Sequence, residues 1–145
     1  MRLTKRKALE LTIELWDWLA KNPSKTEGDW PKWKLNGGSI HEMQHDCSCC
    51  EYDLRHGGSG YSAGGCQHCP LRDYWPHGSC EPEFGSSPWF DWIEATTPMP
   101  IIEKEIETAM EIATQAATEI ADLARRALSD YNKRYPIRKS KNVAT

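Results

Sequence analysis

Four of the six cysteines fall into two C-x-x-C pairs, Cys47-Ser48-Cys49-Cys50 and Cys66-Gln67-His68-Cys69, with 15 residues between the pairs. A C-x-x-C turn places two thiolates on one side of a tight loop. Two such turns complete a tetrahedron around zinc, with Zn–S distances of about 2.3 Å. The spacer falls in the zinc-ribbon range. The predicted chemistry is therefore structural, with one Zn²⁺ held by Cys47, Cys50, Cys66 and Cys69. Cys49 offers a tighter C-x-C alternative to Cys50, and Cys80 could replace Cys69 or a member of the first pair, although it reads first as a packing or spare thiol. His45 and His68 stand close enough in the chain to support the ligands. Structural zinc contributes on the order of 10 kcal/mol to a small module, so its loss is expected to unfold at least residues 41–92.

Other chemistry-bearing patterns are incomplete. His41-Glu42-Met43-Gln44-His45 matches H-E-x-x-H, which works as a zinc peptidase only where a helix puts both imidazoles on one face beside the glutamate. Gly37-Gly38-Ser39 precedes it and Cys47 follows closely, leaving room for barely two turns and no evident third ligand beyond His77. Cys49-Cys50-Glu51 supplies half of a zinc-deaminase signature, but Gly65, not proline, precedes the second C-x-x-C. Gly57-Gly58-Ser59-Gly60 lacks the lysine and helix of a phosphate loop. A redox reading of C-x-x-C needs a βαβ context that the sequence does not offer. No catalytic set is expected.

The elements that must position these thiols are helical on either side. Residues 5–20 form an amphipathic pattern, with Ala8, Leu9, Leu11, Ile13, Leu15, Trp16 and Leu19 on one face and Thr4 as N-cap. Asn22-Pro23 stops it. Residues 99–134 predict a long helix, opened by Pro98-Met99-Pro100 and early glutamates. Its apolar positions 102, 106, 109, 113, 116, 120, 123 and 127 make an unbroken heptad stripe rich in alanine. The first helix is about half as long, so the surplus stripe is expected to meet the zinc module, a second copy of the chain or another protein. Residues 41–95 show no helix-length periodicity and read as short hairpins and turns around metal. The expected fold is thus α with a small irregular zinc-ribbon-like module. It divides into a helix and Trp/Pro loop (1–40), the zinc-knuckle module (41–97), the long helix (98–135) and a basic tail (136–145), together one compact domain.

Composition supports a metal-dependent small core. Hydrophobic residues make up 39% of the 145, and seven tryptophans offset the thin core with large aromatic areas. Trp30, Trp33, Trp75, Trp89 and Trp92 are expected to pack inside, with an exposed aromatic patch as the alternative. The N-terminus is charged throughout, with no apolar run of signal-peptide or membrane-spanning length, so a cytoplasmic setting with reduced thiols is expected. Residues 41–100 carry 2 Lys/Arg against 9 Asp/Glu, which disfavours a phosphate backbone as partner of that segment.

Several of these pieces together resemble a family. Leu9 to Pro23 (LELTIELWDWLAKNP), the following DWPKW, Cys47 to Tyr52 (CSCCEY), Cys66 to Leu71 (CQHCPL), Trp75 and Ser87-Pro88-Trp89 are similar, in content and order, to a group of short bacteriophage accessory proteins. The resemblance covers roughly residues 5–92. It implies a protein acting in the bacterial host cytoplasm, carries onto Cys47, Cys50, Cys66, Cys69 and Cys80, and does not carry onto His41 or His45. The leading expectation is a non-enzymatic protein that binds and modulates or inhibits a host protein, in counter-defence or host takeover, with self-association through the 102–127 stripe as a further option. The alternatives are a nucleic-acid-binding regulator using Lys5-Arg6-Lys7 and the basic tail, and a zinc peptidase using His41, Glu42 and His45.

Overall fold

A computed structural model describes residues 2–58, 67–82, 84–97 and 101–138. Helix α1 (Lys5–Lys21) begins where Thr4 accepts a hydrogen bond from the Lys7 amide at 3.1 Å. It ends at Asn22, whose side chain donates to the Trp18 carbonyl at 2.8 Å. Its buried face is Ala8, Leu9, Leu11, Thr12, Leu15, Trp16 and Leu19. Apart from Ile13, which is only partly buried, and Thr12, this is the face predicted from periodicity. The hydroxyl of Thr12 is satisfied inside the core by the Ala8 carbonyl at 2.8 Å.

Two short helices occupy the segment expected to hold only hairpins and turns. Helix α2 (Ser48–Arg55) starts at the first cysteine pair, and α3 (Pro88–Thr96) starts at Ser87, whose hydroxyl accepts from the Phe90 amide at 3.1 Å. Among the described residues there is no strand, only one isolated bridge between Trp33 and Ile40, so a zinc-ribbon sheet is not seen. Helices of eight and nine residues complete too few turns to show a period. They are too short to be stable alone and depend on packing. Ser87-Pro88, a cap followed by proline in the first turn, is the local signal that marks α3.

Helix α4 (Glu103–Arg134) has 32 residues and is about 48 Å long, against about 25 Å for α1. The two run antiparallel. Arg125 pairs with Asp17, and Arg6 donates to Asn132 at 2.9 Å, so α1 covers the C-terminal part of α4. Helix α3 packs on the N-terminal part. The alanine stripe is therefore covered within the chain: Ala109, Ala113, Ala116, Ala117, Ile120, Ala121, Ala124 and Ala127 are all buried. Small side chains let the three helix backbones approach closely. Ile102, at the start of the expected heptad stripe, stays 58% exposed.

Tryptophans close the core. Trp16 of α1 and Trp92 of α3 meet edge to face with ring centroids 5.0 Å apart, and Trp30 and Trp33 do so at 5.3 Å. Trp30, Trp33, Trp75 and Trp92 are buried, as expected, while Trp89 is half-buried. No helix among the described residues is long and apolar enough to cross a membrane.

Candidate metal centre

Five thiols line a single cavity of about 330 Å³: Cys47, Cys49 and Cys50 from the start of α2, Cys69 from the loop after it, and Cys80 from the loop before α3. Cys66, the remaining member of the expected ligand set, lies outside the described residues. The structure thus brings together three of the four expected ligands, Cys47, Cys50 and Cys69, and adds Cys49 and Cys80 to the same wall. Hydrogen bonding links these thiols in a row, Cys69 with Cys49, Cys49 with Cys47, Cys47 with Cys50 and Cys50 with Cys80. Among the described residues, no three His, Cys, Asp or Glu side chains converge as a ready-made metal-holding group.

Hydrogen bonding distributes charge along this row. The Cys47 thiol is held well below its ordinary range by hydrogen bonds from the Cys49 and Cys50 thiols, with their amides adding to the effect. Burial pushes the Cys49 thiol up, and hydrogen bonds with Cys47 and Cys80 push Cys50 up. Cys49 is also fixed from behind, its sulfur 3.1 Å from the Thr12 hydroxyl of α1.

Two carboxylates of α2 tie the thiol-bearing loops to the helix. Glu51 accepts from the His45 amide at 3.2 Å, ahead of the first cysteine pair, and pairs with Arg55 at 3.2 Å. Asp53, fully buried, accepts from the His68 amide at 2.6 Å, immediately before Cys69. Ser87, the cap of α3, donates to the Cys80 carbonyl and so fixes the third loop. Sequence reasoning missed these anchors. Their signal was present as two acidic residues just after Cys50, legible only once that stretch is known to be helical.

The rest of the lining is aromatic and acidic. Trp16, Trp75 and Trp89 wall the cavity, and Glu27, Asp46 and Glu81 face it; no Lys or Arg lines it. Burial, together with the neighbouring Cys47 and Asp46, raises the Glu27 carboxyl to about 8, against which the Trp89 indole donates a hydrogen bond. Glu27 enters from a 3₁₀ turn far from the cysteines in sequence, and no local pattern could have found it. Thiol and carboxyl donors without a Lys or Arg suit a divalent cation, and the thiols suit zinc.

The H-E-x-x-H match is not built as its chemistry requires. Residues 41–47 are not helical, and Glu42 accepts a hydrogen bond from the Leu35 amide at 2.6 Å. His41 is exposed, and only His45 of the pair reaches the cavity. No protein-family model, curated protein or solved structure matches this chain.

Proposed function

We propose that this chain is a zinc-stabilised helical binding protein, and that the face it offers a partner is the groove between α3 and the N-terminal part of α4. The carrying observation is that groove, of about 720 Å³, lined by the apolar Ile102, Ala109 and Ile112 and by the charged Asp91, Glu94, Lys104 and Glu105. Ile102 at the start of the apolar stripe and Ile112 beside it remain 58% and 45% exposed, although Ala109, Ala113, Ala116, Ile120 and Ala127 of that stripe are covered. Exposed apolar residues beside three carboxylates and a single lysine fit an amphipathic, predominantly basic segment of another protein. Together with the resemblance to short bacteriophage proteins, this supports a partner in the bacterial host cytoplasm that the chain modulates or inhibits. Zinc on the cavity thiols Cys47, Cys50 and Cys69, with Cys66 as the fourth ligand expected from the sequence, serves the fold in this reading and does no catalysis.

A photo-crosslinking residue at Ile112 is expected to trap a host protein that the same residue at Thr118, exposed on another face of α4, does not trap. Equal trapping at both positions, or at neither, removes the groove as the binding face. Ile112→Asp is expected to weaken capture by at least tenfold with unchanged melting.

A second reading is favoured by one observation. The antiparallel pairing brings Lys5, Arg6 and Lys7 to the end of α4 that carries Lys133 and Arg134. A nucleic acid held at this basic pole would dissociate steeply with added salt. A binding curve for duplex DNA or RNA that shows no salt-dependent association removes it.

A further inference from the structure

We propose that the groove between α3 and α4 takes the segment Arg134-Tyr135-Pro136-Ile137-Arg138 of a second copy of this chain, so that the protein self-associates through the face it offers a partner. This inference rests on the groove reading above and names an occupant that competes there with the host partner.

Helix α4 carries opposite charge at its two ends. Its first ten residues hold four Glu and one Lys, and its last ten hold four Lys/Arg and one Asp. The helix dipole favours this sense of charge only within the first and last turns. Glu107 and Glu111, both exposed, lie beyond the first turn, so the dipole does not account for them.

Exposed apolar residues follow the same division. Ile101, Ile102 and Ile112 stay uncovered at the acidic end, and Tyr135 and Ile137, 50% and 70% exposed, at the basic end. Pro136 pushes Tyr135 out of the helical region, to φ −129° and ψ 76°, and the chain is no longer helical through Arg138. Arg6 of α1 donates to the Tyr135 carbonyl at 2.6 Å and fixes the direction in which this segment leaves the helix. The result is a short run with two apolar side chains between exposed arginines. It complements Ile102, Ala109 and Ile112 beside Asp91, Glu94 and Glu105 in both shape of pattern and sign of charge.

The two halves cannot meet within one chain. Ile112 and Arg134 stand at the two ends of a continuous stretch of α4 about 33 Å long. A second copy supplies the segment, either head to tail or reciprocally with the two α4 helices antiparallel; both forms use the same groove and the same segment. One groove and one five-residue segment lie below the roughly 1,200 Å² of stable complexes, so the association is weak and reversible. A tighter host partner therefore displaces it.

The test is sedimentation velocity on the full chain. The unaltered protein is expected to gain mass as its concentration rises toward about 1 mM, and to associate at least tenfold more weakly in roughly 1 M salt, where charges are screened within about 3 Å. Ile112→Asp and Ile137→Asp are each expected to stay monomeric alone, with melting unchanged by circular dichroism. Their equimolar mixture is expected to associate again, because one variant brings an intact segment and the other an intact groove. A monomer at every concentration of the unaltered protein, an Ile137→Asp protein that associates like its parent, or an inert mixture overturns the proposal. A photo-crosslinking residue at Ile112 separates this from the groove reading. Host capture without copy-to-copy adducts overturns the self-association alone. Adducts mapping to residues 134–138 support it even where no host protein is captured, and no adduct of either kind overturns both.

Discussion

Gly58 stands where the chain leaves α2, its amide donating to the Asp53 carbonyl at 2.8 Å. A Cβ built there would lie 2.2 Å from the Asp53 carboxylate, the same group that holds the His68 amide. Neither side has room to yield, since Asp53 is fully buried. Gly58→Ala is therefore expected to cost about 2 kcal/mol or more and to loosen Cys69 with it. Gly28→Ala, with nothing within 4 Å of its added carbon, is expected to stay within about 0.5 kcal/mol. Urea denaturation of the two variants beside the parent checks both values, and equal stabilities would show that Asp53 does not clamp the second thiol loop. The sequence marked the thiols but not this clamp, because a carboxylate's partner across a loop is set by how the chain returns, not by spacing.

At the scale of the element, α4 is the frame. Ala113, Ala117, Ala121 and Ala124 are completely covered, so a side chain larger than alanine there pushes α1 or α3 away. Ala117→Glu buries a charge with no counter-ion and is expected to cost more than about 4 kcal/mol, enough to unfold a domain of ordinary stability. Thr118→Glu, one position along and exposed, is expected to stay within about 0.5 kcal/mol. Circular dichroism melts separate them, and a folded Ala117→Glu protein would mean that α4 does not pack on its neighbours through this face. Glutamate at Ala113 or Ala116 would likewise probe the fold and not a partner, because the stripe that looked surplus beside α1 alone is completed by α3. Periodicity showed which face of α4 is apolar; it could not show that a nine-residue helix covers the far end.

For the whole molecule, the thiol cavity is where the other three helices meet the loops, away from α4. Trp16 of α1, the three thiols of α2, Trp89 of α3, Glu27 of the first loop and the Cys69 and Cys80 loops converge there. Metal binding on the order of 10 kcal/mol is comparable with the total stability of a domain, about 5–15 kcal/mol. On the proposed zinc reading, chelator is expected to lower the melting temperature by tens of degrees, to expose the thiols to alkylation, and to remove amide protection from α2 and α3 before α1 and α4. Unchanged melting after the metal is stripped would show that the ion does not carry the fold. The same assembly polarises the surface. Acidic residues of α3 and early α4 rim the apolar groove, while the start of α1 and the end of α4 form a basic pole, so the two proposed kinds of partner would sit at opposite ends.

What the residues determined by themselves was local. The capped amphipathic pattern gave α1 its limits and buried face, the alanine-rich heptads gave α4, and the doubled C-x-x-C spacing pointed to thiols acting together. Those features depend on neighbours a few positions apart, which the chain specifies directly. What the tertiary structure decided was every relation across loops: that Cys49 and Cys80 join Cys47, Cys50 and Cys69, that Glu27 and three tryptophans wall their cavity, and that α3 covers α4. Such contacts arise when distant segments bury apolar surface against one another, and the burial fixes which polar groups come along. A motif can name its own members, but packing chooses the others.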